Sequence, residues 1–93
     1  VCLSHLGYEY TTNQVSDKVL AASTSDIDVI IGGHTHTFLE EMQEFKNKNG
    51  KAVFVNQVGY GGLKLGRLDI HLVRDEGKFT IASANQLLDE NIV

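Results

Sequence analysis

Two histidines follow a pair of glycines near the middle of the chain. His34 and His36 come directly after Gly32 and Gly33, with one residue between them. On an extended loop, imidazoles at this spacing point in different directions, which suits two neighbouring metal ions, and binuclear hydrolytic centres hold their ions about 3.5–4 Å apart. A lone histidine near a strand end is more often a hydrogen-bonded structural residue, but two histidines after a glycine pair favour a metal site.

The residues before these glycines indicate a buried strand. Residues 29–31 are an apolar, β-branched run that is too short for a helix, as in strands of a parallel sheet. The glycines that end it permit positive φ and close backbone approach. A third histidine, His5, has a similar setting, because an apolar run at residues 1–3 turns polar at Ser4 and stops at Gly7. Both predicted strands therefore end in histidine and glycine.

The segment between the two predicted strands indicates a helix. Ser16 and Asp17 supply an N-cap and a first-turn carboxylate for a helix that runs through about Ser23. Its apolar face, at helical spacing, is expected to comprise Val15, Val19, Leu20 and Ala22. Strand, helix and strand form a βαβ unit, whose crossover brings the ends of its two parallel strands to one edge of a sheet. We therefore expect His5 to lie near His34 and His36.

The second half of the chain predicts further strands. Residues 38–45 fit either a short helical turn or an irregular loop, and residues 46–50 carry an Asn-Gly turn signal. A strand is expected at residues 52–58. The following loop, residues 59–62, lacks the Lys-Ser/Thr ending of a phosphate loop and is either a tight corner or the lining of a site.

A hairpin is expected near the end of the chain. Residues 64–74 alternate, with Leu65, Leu68, Ile70 and Leu72 opposed to Arg67, Asp69 and His71. A turn at residues 75–78 leads into a returning strand at residues 79–82. His71 is expected to face solvent on the polar face. Residues 85–93 are interpreted as a polar tail without chemistry.

Composition limits the class of protein. The 93 residues contain no proline, 42% hydrophobic and 22% charged residues, which is typical of a soluble segment of at most one domain. The net charge of −4 and the absence of a basic stripe argue against nucleic-acid binding. No apolar run approaches the roughly 20 residues of a membrane span. The single cysteine, Cys2, excludes an intramolecular disulfide.

Three sequence blocks together resemble a known family. They are L-S-H-L-G at residues 3–7, D-V-I-I-G-G-H-T-H-T at residues 28–37, and V-G-Y-G-G-L-K-L-G-R-L-D-I at residues 58–70. Their combination resembles the carboxyl-terminal part of the catalytic domain of calcineurin-like metallophosphoesterases. It is most similar to the 5′-nucleotidase branch, which includes UDP-sugar hydrolases and 2′,3′-cyclic-nucleotide phosphodiesterases. The resemblance runs from residue 1 to about residue 72.

The resemblance implies an α/β fold and a two-metal site. The chain would be the C-terminal half of a four-layer α/β/β/α sandwich, with the βαβ unit followed by β-strands and a hairpin. His5 and His34 would bind one divalent metal ion and His36 the other, and imidazole suits zinc, manganese or iron. Asp28, Thr35 and Thr37 are candidates for fixing the imidazole tautomers. Such ions activate water for in-line attack on a phosphoester.

The resemblance also implies that residues 1–93 are the second half of a metallophosphoesterase domain. The chain opens at Val1 in the middle of a predicted strand, which suggests a piece of a longer protein. The family's first half carries Asp-x-His, Gly-Asp and Gly-Asn-His blocks, and longer relatives add a nucleotide-binding domain. The resemblance extends to neither part. Because a dinuclear pair needs anionic ligands, we expect the chain alone to be inactive.

Partners and location follow from the same resemblance. The expected substrate of the parent hydrolase is a nucleotide or another phosphoester, and the expected location is periplasmic, secreted or at the cell surface. Uncovered sheet edges predict association, including homo-oligomers. The alternative is a non-catalytic binding or oligomerisation module that keeps the fold and at most one structural ion.

Overall fold

A computed structural model describes residues 1–74 and 77–88. It contains one helix and six strands within these residues. In chain order they are β1 (Cys2–Leu3), α1 (Asp17–Ser23), β2 (Val29–Ile31), β3 (Gln43–Lys46), β4 (Ala52–Asn56), β5 (Lys64–Val73) and β6 (Lys78–Leu87). The predicted α/β class is confirmed, whereas the four-layer sandwich stays a prediction.

The first sheet has the strand order β1-β2-β4-β3. Strand β2 pairs in parallel with β1 on one side and with β4 on the other, and the register places Leu3 opposite Ile31 and Ile31 opposite Asn56. The predicted βαβ unit, β1-α1-β2, is therefore present. Its parallel strands bring the chain segments after Leu3 and after Ile31 to the same edge of the sheet.

The core lies between this sheet and α1. It is built on Ile30, Val53 and Val55, which are fully buried, with Ala21 and Tyr8 packed against them. Alternate residues of β4 point inward, as the period of a strand requires.

The face that α1 presents to the core differs from the prediction. Ala21 is buried, whereas Val15 is 52% and Val19 is 43% exposed and Ala22 is exposed. Leu20 is partly buried, as expected. The helix has seven residues and buries Asp17 and Ala21, which lie four residues apart on one face, whereas Val15 precedes it. No helix in the described part of the chain has the length and apolar character needed to cross a membrane.

Of the two structures that the sequence allowed for residues 38–45, the helical turn is absent, and the irregular loop is confined to residues 39–42. Phe38 makes an isolated bridge with Val58, and Gln43–Lys46 is strand β3, antiparallel to β4. Phe45 packs against the core, while Glu44 is exposed. The Asn47 to Gly50 turn predicted from the sequence connects the two strands.

The second sheet is the β5-β6 hairpin, with Leu72 opposite Phe79 and Gly66 opposite Asn85. Asn85 and the two residues after it belong to β6, so the predicted polar tail begins too early. Leu65, expected on the apolar face, lies on the face of Arg67 by the two-residue period of a strand and is 56% exposed. The expected apolar face is itself uncovered, since Ile70 is 41% and Leu72 is 74% exposed. The predicted turn lies partly, and residues 89–93 of the tail entirely, outside the described residues.

A reciprocal pair of amides joins the hairpin to the first sheet. The Asn56 Nδ2 donates to Asn85 Oδ1 (2.9 Å), and the Asn85 Nδ2 donates to Asn56 Oδ1 (2.7 Å) and to the carbonyl of Leu39 (2.8 Å). Gly66 lies beneath this pair, and a Cβ there would lie 3.0 Å from Asn56 Nδ2. A side chain at position 66 would therefore press on the amide pair.

Candidate metal centre

His5 is placed by the end of strand β1. The amide of Ser4 donates to the carbonyl of Ile31 at 2.9 Å, which extends the parallel pairing one residue beyond the strand. The next residue, His5, leaves the sheet and is exposed. Its position is thus fixed relative to the end of β2.

His34 is placed by a tight turn after strand β2. The Thr35 amide donates to the Gly33 carbonyl at 2.9 Å, and His34 between them has a φ of 71°. A hydrogen bond between residues two apart, around a central φ near +75°, is the rare γ-turn. A positive φ in a residue with a side chain costs about 1–3 kcal/mol, and such strain concentrates at functional sites. Gly32 and Gly33 were expected to permit positive φ and close approach, but the positive φ lies at His34 and His36 instead.

The two loops bring His5 and His34 together. The His5 Nε2 and the His34 Nδ1 are 3.3 Å apart, and one of them donates a hydrogen bond to the other according to the tautomer. The ring centroids are 5.0 Å apart at an interplanar angle of 72°. A Cβ on Gly33 would lie 3.3 Å from His5 Nδ1, so the glycine makes room for the His5 ring.

This geometry fits a shared divalent ion. Two imidazole nitrogens bound about 2.0–2.1 Å from one tetrahedral zinc ion lie about 3.4 Å apart. The observed separation of the His5 and His34 nitrogens is 3.3 Å. The separation of the two nitrogens therefore matches that of two ligands of one ion.

His36 takes a different neighbour. Its φ is 54°, and its ring lies on that of Tyr60 at 4.9 Å and 30°. Tyr60 also contacts the Phe38 ring edge to face at 5.6 Å. Residues 59–62 form the tight corner that the sequence allowed, in which the Leu63 amide donates to the Tyr60 carbonyl at 3.4 Å, and this corner lies beside His36. Within residues 1–74 and 77–88, no group of three or more His, Cys, Asp or Glu side chains is arranged around one point.

A buried polar network holds the histidine loop. Gln57, 2% exposed, accepts from the Thr37 amide at 2.5 Å and donates to Thr35 Oγ1 at 3.4 Å. Thr35 Oγ1 also lies 2.8 Å from Thr37 Oγ1 and accepts from the Tyr8 amide at 3.0 Å. The two threonines thus fix the backbone of the loop, although neither is hydrogen-bonded to an imidazole.

The other proposed supporting residue, Asp28, lies away from the histidines. It precedes β2 and is exposed, and its carbonyl accepts from the Phe54 amide at 2.9 Å. Since β2 runs from Val29 to Ile31, Asp28 and the histidines are at opposite ends of the strand.

Two buried polar residues near the histidines, Gln57 and Asp17, were not predicted from the sequence to belong to the site. Gln57 follows directly on an apolar strand, and this position was the available sequence signal for its burial near the site. Asp17 was predicted only as a first-turn carboxylate, yet it is fully buried and accepts from Ser4 Oγ at 2.6 Å. Burial raises the pKa of the Asp17 carboxyl, and the hydrogen bond from Ser4 opposes this rise.

One Asp-x-His triplet does occur in the chain, at Asp69-Ile70-His71. It lies on β5, where Asp69 Oδ1 accepts from Arg67 Nε at 3.1 Å on the surface. His71 is exposed, as predicted. The triplet belongs to the hairpin surface and does not complete a ligand cluster with the other histidines in the described residues.

Comparison with known proteins reveals one informative similarity. Over 70 residues, 75% of this chain, it is 36% identical to the trifunctional nucleotide phosphoesterase protein YfkN of Bacillus subtilis strain 168. The chain spans about 4% of the length of that relative. No family model matches the chain, and no solved structure matches it significantly. The similarity supports a relationship to phosphoester hydrolases.

Proposed function

We propose that this chain is the second half of the catalytic domain of a metal-dependent hydrolase that acts on nucleotides or related phosphoesters. The observation that carries the proposal is the 3.3 Å approach of His5 Nε2 to His34 Nδ1 at the ends of two neighbouring parallel strands. The 36% identity to a nucleotide phosphoesterase supports the class of substrate.

The chain's own residues would hold the metal ions through imidazole nitrogens. His5 would bind one ion through Nε2 and His34 the same ion through Nδ1, while His36 would serve a second ion. Bound divalent ions supply polarisation of a phosphoryl oxygen and activation of water. All three histidines are exposed, so a phosphoester can approach them from solvent.

The loops would keep these ligands in place before a metal ion arrives. The γ-turn at His34 and the hydrogen bond that Gln57 accepts from the Thr37 amide fix the loop backbone, which limits the directions available to the His34 ring. The Tyr60 ring similarly limits the orientation of His36. Ligands held in this way lose less conformational freedom on binding.

Neutral imidazoles do not offset the charge of two divalent ions. Carboxylate ligands are needed, and the described residues place none beside His5 and His34 in a group of three ligands. We therefore propose that the anionic ligands come from outside this chain, and that the chain alone is inactive.

The test uses the complete protein that contains this sequence. After metal removal and reloading with zinc or manganese, hydrolysis of bis(p-nitrophenyl) phosphate and AMP is measured for wild type, His5→Ala, His34→Ala and the exposed control His71→Ala. Because even the supporting partners of a ligand are worth about 10- to 100-fold, each ligand variant should lose at least about 100-fold. The control should retain activity. Equal activities of His34→Ala and His71→Ala would contradict the proposal.

A non-catalytic binding or oligomerisation module is the second candidate. It is favoured by the exposure of large apolar side chains, which include Leu3 at 80%, Leu72 at 74% and Leu87 at 64%. Such a module predicts that the complete protein carries at most one metal ion per chain and hydrolyses neither ester. Two ions per chain with metal-dependent hydrolysis would exclude it.

A further inference from the structure

The Asp17 carboxyl group is buried in a way that the helix does not require. Asp17 is fully buried at the first position of α1, and its Oδ2 has no hydrogen-bond partner among residues 1–74 and 77–88. An acidic residue in the first turn stabilises a helix from an exposed position as well. Burial of a polar atom without a partner is unfavourable, so this placement needs another explanation.

Asp17 contacts both ends of the loop that carries His5. Its Oδ1 accepts from Ser4 Oγ at 2.6 Å, and its amide donates to the carbonyl of Gly7 at 2.7 Å. Ser4 Oγ in turn accepts from the Leu6 amide at 3.3 Å. The conformation of residues 4–7 is therefore tied to the position of Asp17.

The other oxygen of Asp17 lies against the loop that carries His34. A Cβ on Gly32 would collide with Asp17 Oδ2, whereas a Cβ on Gly33 would press on the His5 ring. Gly32 thus makes room for the carboxyl group and Gly33 for the imidazole. The two glycines form the surface on which the end of β2 meets both Asp17 and His5.

We propose that Asp17 is a positioning residue, which sets the separation of His5 and His34 by holding Ser4 on one side and by packing on Gly32 on the other. The inference rests on the proposed function in one respect, that these two histidines share a metal ion. Asp17 itself does not bind the ion, and it acts through the two loops.

The test compares variants that differ in which contact they remove. Asp17→Ala and Ser4→Ala remove the hydrogen bond, and Gly32→Ala displaces the carboxyl group without removing it. Asp17→Asn keeps an acceptor for Ser4. Ser16→Ala is the matched control, because it removes the N-cap bond to the Val19 amide at the same helix end.

Two measurements are made on the complete protein that contains this sequence, after metal removal. Zinc affinity is measured by calorimetry, and the imidazole signals of His5 and His34 are recorded by NMR without metal. Since residues that orient a ligand are worth about 10- to 100-fold in metal affinity, the variants Asp17→Ala, Ser4→Ala and Gly32→Ala should lose about 10-fold or more. They should also shift both imidazole signals, whereas Asp17→Asn should stay close to wild type.

The control separates positioning from general destabilisation. Ser16→Ala should lower the melting temperature and leave zinc affinity and both imidazole signals unchanged. If Asp17→Ala behaves like Ser16→Ala, the proposal is overturned. If Asp17→Ala does not fold, Ser4→Ala and Gly32→Ala decide the question by the same criteria.

Failure of the proposed function gives a different result. If zinc affinity is the same in wild type, His5→Ala and His34→Ala, the histidines share no ion. The metal-free imidazole signals then decide the positioning role alone: shifts in Asp17→Ala that are absent in Ser16→Ala support it, and their absence overturns it.

Discussion

His5 Nε2 lies 3.3 Å from His34 Nδ1, although 29 positions separate the two residues in the chain. The approach follows from the parallel pairing of β1 with β2, because Leu3 lies opposite Ile31 and each histidine follows its strand within three residues. The backbone topology thus brings the two imidazoles close together, and the loops determine their final separation.

Replacement of His34 by glycine should stabilise the fold relative to alanine. At a φ of 71°, alanine keeps the Cβ that makes this conformation unfavourable, so His34→Gly should exceed His34→Ala in free energy of unfolding by about 1 kcal/mol. Urea denaturation measures the difference. The control pair is His71→Gly and His71→Ala in β5, where glycine should be the less stable variant by about 0.5–1 kcal/mol. If the glycine variant were the more stable one at both positions, or the less stable one at both, the strain assigned to His34 would be refuted.

The stability of the chain should depend on pH through Asp17. Because burial raises the pKa of its carboxyl, the folded state binds more protons than the unfolded state just above the usual carboxyl pKa. The free energy of unfolding of wild type should therefore rise relative to Asp17→Asn as the pH falls from 7 towards 4. Denaturation of both proteins across this range tests the sign. The raised pKa would be contradicted if the difference in free energy of unfolding between the two proteins stayed constant with pH. It would also be contradicted if that difference shifted in favour of Asp17→Asn as the pH fell.

The amide pair between the two sheets should contribute to stability. Asn85→Ala leaves Asn56, only 5% exposed, without its side-chain partner, which should cost about 1–3 kcal/mol in free energy of unfolding. The exposed Asn13→Ala is the control and should change little. A double-mutant cycle with Asn56→Ala should give a coupling of at least about 0.5 kcal/mol. Additive effects would show that the two amides do not stabilise each other.

The isolated chain should associate through its exposed apolar side chains. Leu72 is 74% exposed on the hairpin, so Leu72→Lys should reduce the mass measured by light scattering at high protein concentration. Thr80→Lys, also on the hairpin and exposed, adds the same charge without removing an apolar side chain. A wild-type chain that stays at 10.2 kDa at all concentrations would be evidence against association.

Local signals in the sequence predicted the elements that depend on neighbouring residues. Ser16 was expected as the N-cap of a helix, and its side chain does accept from the Val19 amide. The βαβ order followed from two short apolar runs separated by a helix, and it placed His5 near His34. These features need no knowledge of distant contacts.

The features that the sequence missed depend on such contacts. Strand β3 forms by pairing with β4, with Phe45 opposite Val53, and no local pattern in residues 38–45 required this pairing. The contact of His36 with Tyr60 depends on two loops that meet only in the folded chain. The burial of Gln57 and Asp17 is also a tertiary effect, because polar residues are ordinarily expected at the surface.

The central claim, that His5 and His34 bind the same ion, is tested most directly by NMR of the imidazole groups during a zinc titration of the complete, metal-free protein that contains this sequence. One equivalent of zinc should shift the His5 and His34 signals together and leave His71 unchanged, and His5→Ala should abolish the shift of His34. Zinc that shifts His5 without His34, or that binds equally well when both are replaced by alanine, would contradict the shared site.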